Sequence, residues 1–328
     1  MVGADAVDGS DDRDGPTDEE LDALDALGRG GEWDFAGRTL KLTNLDKAIF
    51  PGRDGGPPLT KRDLVRYHSR IAPHLLPYLR GRALNTNRFP DGVDRPGFWQ
   101  KAVPGHAPPW VARWDYPDAR PDDTRTYVVV DEPATLAWLA NQAAVELHPW
   151  NPLTATWREP AWAFIDIDPG TRTSFDDVLV MTRLHKVVLD ELDVRAAAKV
   201  TGKRGVQIWI PVAPGLTFEE TRGWVEVVSK AVGKVVPEMV SWAWSTSDRR
   251  GRARLDYTQN VHNKTLVAPF SARPAPGAPV SMPIRWDELD DPDLTPDRWT
   301  ILDAVERVAS VGDPLLPLIG LAQDLPRF

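Results

Sequence analysis

The segment WAFIDIDPG, residues 162–170, places Asp166 and Asp168 two positions apart in an otherwise apolar run. In an extended strand, side chains i and i+2 leave the same face, ~7 Å apart or less. Two ionised carboxylates that close repel, so one takes up a proton unless a cation lies between them. A bland reading competes: a strand end entering an Asp-Pro turn, with both acids solvated. A lone D-x-D is a weak motif, and the segment alone does not choose. ARLDYT supplies a third acid, Asp256. TGKRG sets the Thr201 hydroxyl and the cations Lys203 and Arg204 among glycines, which let backbone N–H groups approach an anion. A basic hairpin of this kind is more commonly only a turn.

Three converging carboxylates can hold two hard divalent cations, Mg²⁺ or Mn²⁺ rather than zinc. A metal pair is the standard device for in-line phosphoryl or nucleotidyl transfer. His148, in ELHPW, has a bland role as the imidazole closing a helix and a functional one as a triphosphate contact. Lys264 in HNKT and Arg273 in FSAR follow Asp256 closely enough to fold back over the same site. Arginine is the natural bidentate ligand for phosphate oxygens.

These residues converge only if their elements bring them together. The pattern predicts a strand at 162–168, a helix at 174–192, strands at 196–201 and 206–212, a helix at 218–236 and a strand at 252–258. SFDD and TFEE are capping boxes that open the two helices. TLVAPF, 265–270, reads as one more strand. The order β-α-β-β-α-β is the ferredoxin-like arrangement, and right-handed crossovers give a sheet order of 4-1-3-2 with both helices on one face. The last strand then lies beside the first, which brings Asp256 to Asp166 and Asp168. Alternation puts Ala163, Ile165 and Ile167 under the helices. It leaves Asp166, Asp168, Lys199, Thr201, Gln207, Trp209, Arg252, Arg254 and Asp256 on an open face. Upstream, Thr60 caps a helix over 61–79 with Leu64, Tyr67, Ile71 and Leu75 in helical register. Strands follow at 83–89 and 126–130, then a helix at 133–147 that ends before His148.

Composition bounds the rest. Hydrophobic content of 42% and charge of 27% are those of a globular protein. No apolar run reaches the ~20 residues of a membrane span, and the acidic start is unlike a signal peptide. There is no cysteine, hence no disulfide or thiolate metal site, which fits the cytoplasm. The net charge of −9 argues against a nucleic-acid partner until its distribution is read. Residues 1–25 hold ten acids and one base, which accounts for all of it. This start, through residue 30, reads as a disordered acidic tail. Residues 31–150 then form an N-terminal module and 151–328 a catalytic module with C-terminal helices, together one domain.

LTNLDKAIFP (42–51), ELHPW (146–150), FIDIDPG (164–170), TGKRGVQIWIP (201–211) and LDYTQNVHNKTLVAPFSAR (255–273) occur in this order. Together, over about 40–290, they resemble the polymerase domain of bacterial DNA ligase D, a branch of the archaeo-eukaryotic primase superfamily. The resemblance implies an α+β primase fold, an RRM-like catalytic sheet packed with an N-terminal α/β module. It implies a primase-polymerase that fills short gaps bearing a 5′-phosphate, favours ribonucleotides, and uses Mn²⁺ or Mg²⁺. Asp166, Asp168 and Asp256 match the metal-binding carboxylates. His148, Thr201, Lys203, Arg204, Gln207, Lys264 and Arg273 match positions around the incoming triphosphate, and Arg249 a basic position facing it. Lys47 and Lys61 match a 5′-phosphate pocket. Phe98 and Trp99 match aromatics near the template and nascent base pair, where sequence-tolerant stacking suits a polymerase. Arg88 and Lys101 complete the DNA-facing set. Without the resemblance, Lys47 and Lys61 read as ordinary surface lysines, and Phe98 and Trp99 as core.

The sequence departs from the family at three places. Thr201 replaces a serine and keeps the hydroxyl. Gln207 replaces a histidine and keeps a donor without the chargeable ring. Asn87 replaces a lysine ahead of Arg88. No Lys-x-Asp-Gly ligase motif occurs, so the chain reads as a stand-alone relative, similar to the primase-polymerases associated with ligase C. It is expected to be monomeric and to serve an ATP-dependent DNA ligase in trans, in end joining or base excision repair. Two other readings stand beside this one. A non-catalytic DNA-end-binding module would keep the fold and recruit a ligase. A D-x-D sugar-nucleotide transferase would use two acids and a metal, but it leaves Asp256 and the phosphate loop without a role.

Overall fold

The computed structural model describes residues 15–245 and 247–328. Helix α1, Asp18–Ala26, opens the described chain with a capping box between Thr17 and Glu20. This corrects the reading of the first 30 residues as one disordered tail. Leu24 is fully buried, and the Trp33 indole donates to the Glu20 carbonyl at 2.7 Å. Three acids of α1, Asp18, Glu19 and Glu20, lie in its first turn, where they complement the helix dipole. Residues 1–14 of that segment lie outside the described residues.

A hairpin of β1 (Gly31–Phe35) and β2 (Arg38–Leu42) follows, then a small pair, β3 (Ala48–Phe50) and β4 (Leu59–Thr60). Helix α2 spans Lys61–Leu79, as its capping box and apolar spacing require, and buries Leu64, Tyr67, Ile71 and Leu75. The N-terminal sheet is built on β5 (Ala83–Arg88). Strands β6 (Phe98–Gln100) and β8 (Thr126–Val129) share one of its edges, and β7 (Arg113–Asp115) pairs with β8.

The predicted helix at 133–147 divides into two elements. Helix α3 covers Pro133–Asn141, Ala143 turns the chain at φ 54°, and β9 (Ala144–Pro149) pairs antiparallel with β5. Helix propensity of the alanine-rich run loses here to sheet pairing, and Val145-Glu146-Leu147-His148 adopts the two-residue period of a strand. His148 therefore lies on a strand and does not close a helix.

The second sheet has the order β13-β10-β12-β11-β14. Its strands are β10 (Trp162–Asp168), β11 (Ala197–Val200), β12 (Val206–Pro211), β13 (Arg254–Leu255) and β14 (Pro283–Ile284). Helices α4 (Phe175–Glu191) and α5 (Phe218–Val235) cover one face, each started by its capping box. The first four strands give the expected 4-1-3-2 order. The predicted strand at 252–258 is shorter, because Asp256 leaves the ladder to cap a 3₁₀ turn at Tyr257–Gln259. TLVAPF forms no strand: Thr265 makes an isolated bridge to Trp150, and Phe270 turns at φ 63°. The outer edge is taken by β14 instead. A short helix α6, Ala304–Val311, packs near α2.

The other sheet face is not open along its length, which corrects a second expectation. Trp162 and Phe164 pack on Trp209, and Tyr78 of α2 meets Trp209 edge-on at 6.2 Å. Lys199, Gln207, Trp209 and Arg254 are buried. The N-terminal module covers one end of this face. The uncovered end is where β10 delivers Asp168 to solvent.

Candidate active site

Asp166 and Asp168 leave β10 on one face, as their spacing requires. Asp166 lies opposite Gln207, which lies opposite Lys199, so the three form one row across the sheet. The Gln207 amide donates to Asp166 Oδ1 at 2.9 Å. Asp168 lies opposite Arg254 and pairs through Oδ2 with Arg249 at 3.0 Å. The Asp256 N–H donates to the Asp166 carbonyl at 2.7 Å, which joins the third acid to the first two. Its carboxylate accepts from the Thr258 N–H at 3.1 Å and Gln259 Nε2 at 2.9 Å, and pairs with Arg254 at 3.2 Å.

Burial pushes the Asp166 carboxyl up to about 6, with Asp168 and Asp256 adding to the rise against the Gln207 hydrogen bond and Lys199. Burial would also raise Asp256, but Thr258, Arg254 and Gln259 outweigh it and hold the carboxyl below the ordinary range. The acids thus act on one another, the electrostatic condition of a cation site. Their oxygen-only donor set fits a hard divalent ion. Among the described residues no three acids or histidines stand as a closed cage. Asp256 has its oxygens turned into its own 3₁₀ turn, and Arg249 and Arg254 supply the positive charge beside Asp168 and Asp256.

The hairpin between β11 and β12 lies farther across the sheet from β13. The Thr201 N–H donates to the Gly205 carbonyl at 3.0 Å, and the Gly205 N–H donates to Thr201 Oγ1 at 3.1 Å, so the latter donor is engaged within the loop. Gly202 sits at φ +69°, where a Cβ would come within 2.9 Å of the Val280 backbone carbonyl. Arg273 donates to the Thr201 carbonyl at 3.0 Å. Arg204 reaches the Gly170 carbonyl at 2.6 Å, and the Lys203 amine lies 3.4 Å from Glu146.

Glu146, which sequence reasoning did not select, is the hub of this side. Its carboxylate is 4% exposed, pairs with Arg273 at 2.9 Å and accepts from Asn87 Nδ2 at 2.8 Å. Burial would raise it, yet Arg273, His148, Lys203 and Asn87 together keep it low. Its signal was present: Glu146 stands two residues before His148, and in a strand such a pair shares one face. Burial pushes the His148 imidazole down to about 3, with Arg273, Lys199 and Lys203 adding to the fall, so the ring is neutral at pH 7. Its Nε2 is buried with no hydrogen-bond partner among the described residues, and Trp99 stands edge-on to the ring at 4.8 Å. Lys199 donates to Ser281 Oγ at 2.6 Å, and burial lowers its amine well below the usual lysine range. Lys264 is exposed, and no described side-chain contact ties it to the carboxylates.

A second group of cations gathers in the N-terminal module. The Lys61 N–H donates to the Lys47 carbonyl at 2.9 Å, which fixes the two lysines as neighbours. Lys61 is 6% exposed, far from an ordinary surface lysine, and its amine donates to the Asn141 carbonyl at 3.0 Å. Burial, with Lys47 and Arg88, lowers it to about 8. Lys47 is half-buried and pairs with Asp91 at 2.8 Å. Arg88 donates to the Gln142 carbonyl at 2.8 Å and lies over the Phe98 ring at 5.2 Å. Phe98 and Trp99 are 47% and 51% exposed, not core. With Lys101 and Arg88 they line an open groove of about 510 Å³.

A family model described as LigD, primase-polymerase domain, matches residues 60–315. The bifunctional non-homologous end joining protein LigD of Bacillus subtilis (strain 168) is 31% identical over 289 residues, which cover 88% of this chain and 45% of that protein. The multifunctional non-homologous end joining protein LigD of Mycolicibacterium smegmatis is 30% identical over 291 residues, 85% of this chain and 36% of that one. The chain therefore spans less than half the length of these relatives. The polymerase domain of Mycobacterium tuberculosis ligase D in complex with DNA superposes with a TM-score of 0.76 at 28% identity. That match covers 87% of this chain and 99% of the solved one.

Proposed function

This chain belongs to the LigD primase-polymerase domain family and has its archaeo-eukaryotic primase fold; from that premise we propose that it is a template-directed nucleotidyltransferase filling short 5′-phosphorylated DNA gaps in repair. The observation that carries the reading is the meeting of Asp166, Asp168 and Asp256 at one end of a sheet, with a cation-lined hairpin beyond them. The reaction joins the primer 3′-oxygen to the α-phosphorus of the incoming nucleotide and breaks the bond to pyrophosphate, with the hydroxyl proton leaving to solvent. Arg273, Lys203 and Arg204 supply positive charge for the triphosphate, with the Thr201 hydroxyl and the neutral His148 ring as uncharged contacts. Lys203, 44% exposed and only loosely held by Glu146, is free to turn to a phosphate. Asp166, Asp168 and Asp256 would hold Mn²⁺ or Mg²⁺, and bound ions would neutralise charge at the attacking and leaving oxygens. Lys47, Lys61 and Arg88 would take the downstream 5′-phosphate. Phe98 and Trp99 would stack on the template, and Lys101 would contact its backbone. Ribonucleotide preference and service to a separate ATP-dependent ligase complete the proposal.

Asp166→Asn tests it with two readouts. Incorporation into a one- to three-nucleotide gap should vanish, and persistence of incorporation would overturn the assignment. Stability should move the opposite way. The folded carboxyl, at about 6, keeps a proton that the unfolded one, at 3.8, has lost, so stability falls as pH rises between these values. At pH 7 the ionised Asp166 is a net cost of up to about 3 kcal/mol. The amide should therefore raise the melting temperature at pH 7 and leave it nearly unchanged at pH 4.

The pairing of Asp168 with Arg249 and of Asp256 with Arg254 favours one second reading, a gap-binding module without turnover. It predicts gap binding with no incorporation by the wild type under Mn²⁺.

A further inference from the structure

Trp244 is 71% exposed, the most exposed tryptophan among the large exposed hydrophobic residues. An isolated exposed tryptophan needs no explanation, but this one is held in place. Its carbonyl accepts from Arg249 Nη2 at 3.3 Å, and the same guanidinium pairs with Asp168. The Arg254 guanidinium lies over its ring, 4.7 Å from the centroid, and Arg254 pairs in turn with Asp256. Arg254 is itself 5% exposed, so the cation beneath the ring is a fixed platform. The Ala243 carbonyl accepts from both arginines, at 3.3 Å from Arg249 and 3.4 Å from Arg254. The indole is thereby indexed to two of the three carboxylates, with its remaining surface turned to solvent.

The order of the sheet says which substrate reaches that surface. Crossing from β11 and β12 to β13, one meets the triphosphate hairpin, then Asp166 and Asp168, then Arg254. Trp244 stands beyond the acids on the side away from the hairpin. In-line displacement places the attacking oxygen opposite the leaving phosphates. The attacking oxygen belongs to the primer, so the last primer base arrives on the Trp244 side. Phe98 and Trp99 lie on the other module, next to His148 and the triphosphate cations.

The geometry points to Trp244 as the stacking platform for the 3′-terminal base of the primer, an inference that rests on the polymerase reading above. Stacking on a fixed indole tolerates any base, because every base has a π face. It would hold the terminal sugar beside Asp168 and Asp256 without reading sequence. A primer whose terminal base is missing or unstacked loses this contact.

The test is a double-mutant cycle in binding, which needs no turnover. Affinities of the wild type, Trp244→Ala and Trp244→Phe are measured by anisotropy for gapped DNA with an intact or an abasic 3′-terminal primer nucleotide. Trp244→Ala should weaken binding of intact DNA about tenfold, and Trp244→Phe should restore most of it. Removing the terminal base should cost the wild type the same factor and Trp244→Ala little more. Losses that multiply independently overturn the proposal, as does a wild type indifferent to the terminal base. In primer extension, Trp244→Ala should raise KM for the gapped DNA and leave KM for the nucleotide unchanged. A change confined to the nucleotide KM would assign the ring to the incoming base and overturn the proposal. Absence of incorporation by the wild type, with the binding cycle intact, would instead overturn the polymerase reading alone.

Discussion

Lys61 shows how burial gives a single charge a definite working range. Its amine is enclosed, bound to the Asn141 carbonyl, and faces Lys47 and Arg88, so it loses its proton near pH 8 instead of above 10. If it grips the 5′-phosphate, the preference for phosphorylated over hydroxyl-ended gaps should shrink severalfold as pH rises from 7 to 9.5. Lys61→Arg should carry that preference to the higher pH, since a guanidinium does not titrate there. The ratio of the two dissociation constants across pH measures it, and a ratio that stays flat for the wild type removes Lys61 from the contact. His148 is the contrast: neutral throughout this range, it should add no pH dependence of its own. At this scale the acids were readable in the sequence, because two-residue spacing fixes a face. The enclosure of Lys61 was not, since it depends on a carbonyl eighty residues away.

Elements decide how these charges meet. The hairpin of β11 and β12 approaches Arg273 and Val280 so closely that only glycine fits at 202, where φ is also positive. Gly202→Ala should cost about 1–3 kcal/mol of stability through backbone strain. It should also raise KM for the nucleotide more than it lowers kcat, and steady-state kinetics with a melting curve would show both. Unaltered kinetics would mean that the hairpin does not touch the triphosphate. The capping boxes and apolar spacing of α2, α4 and α5 made those helices legible to within a residue or so. The run after α3 was not, because alanine-rich sequence favours helix locally and only β5 makes it a strand. Glu146 was hidden by the same error. On a helix it would not share a face with His148; on β9 it does.

The charge of the whole molecule is divided between parts with different duties. Residues 1–14 carry five acids and one base, whereas the acids of α1 belong to a folded helix. Arg62 donates to the Leu27 carbonyl at 2.5 Å, and Arg66 pairs with Asp25, which ties α1 to α2. Deleting residues 1–14 should leave the melting temperature unchanged and raise affinity for nonspecific DNA, with a steeper salt dependence. Deleting residues 1–28 should cost at least about 2 kcal/mol, from Leu24 alone. Equal melting temperatures for the two truncations would show that α1 contributes nothing to the fold. Net charge read over the whole chain concealed this division, and the Thr17–Glu20 capping box that opens α1 went unread in the sequence.

Strand β9 has one further consequence. The Asn141 and Gln142 carbonyls just before it receive Lys61 and Arg88, and its far half carries Glu146 and His148. The turn at Ala143 and the short strand after it therefore tie the Lys61 and Arg88 contacts to Glu146, which pairs with Arg273 and Lys203. From Ala144 to Glu146 the strand rises roughly 7 Å, at ~3.3 Å per residue. If Lys61 and Arg88 take the downstream phosphate and Arg273 and Lys203 the triphosphate, as proposed, this fixed linkage is a ruler. A gap that matches it would engage both ends at once, and a longer one would leave one end empty.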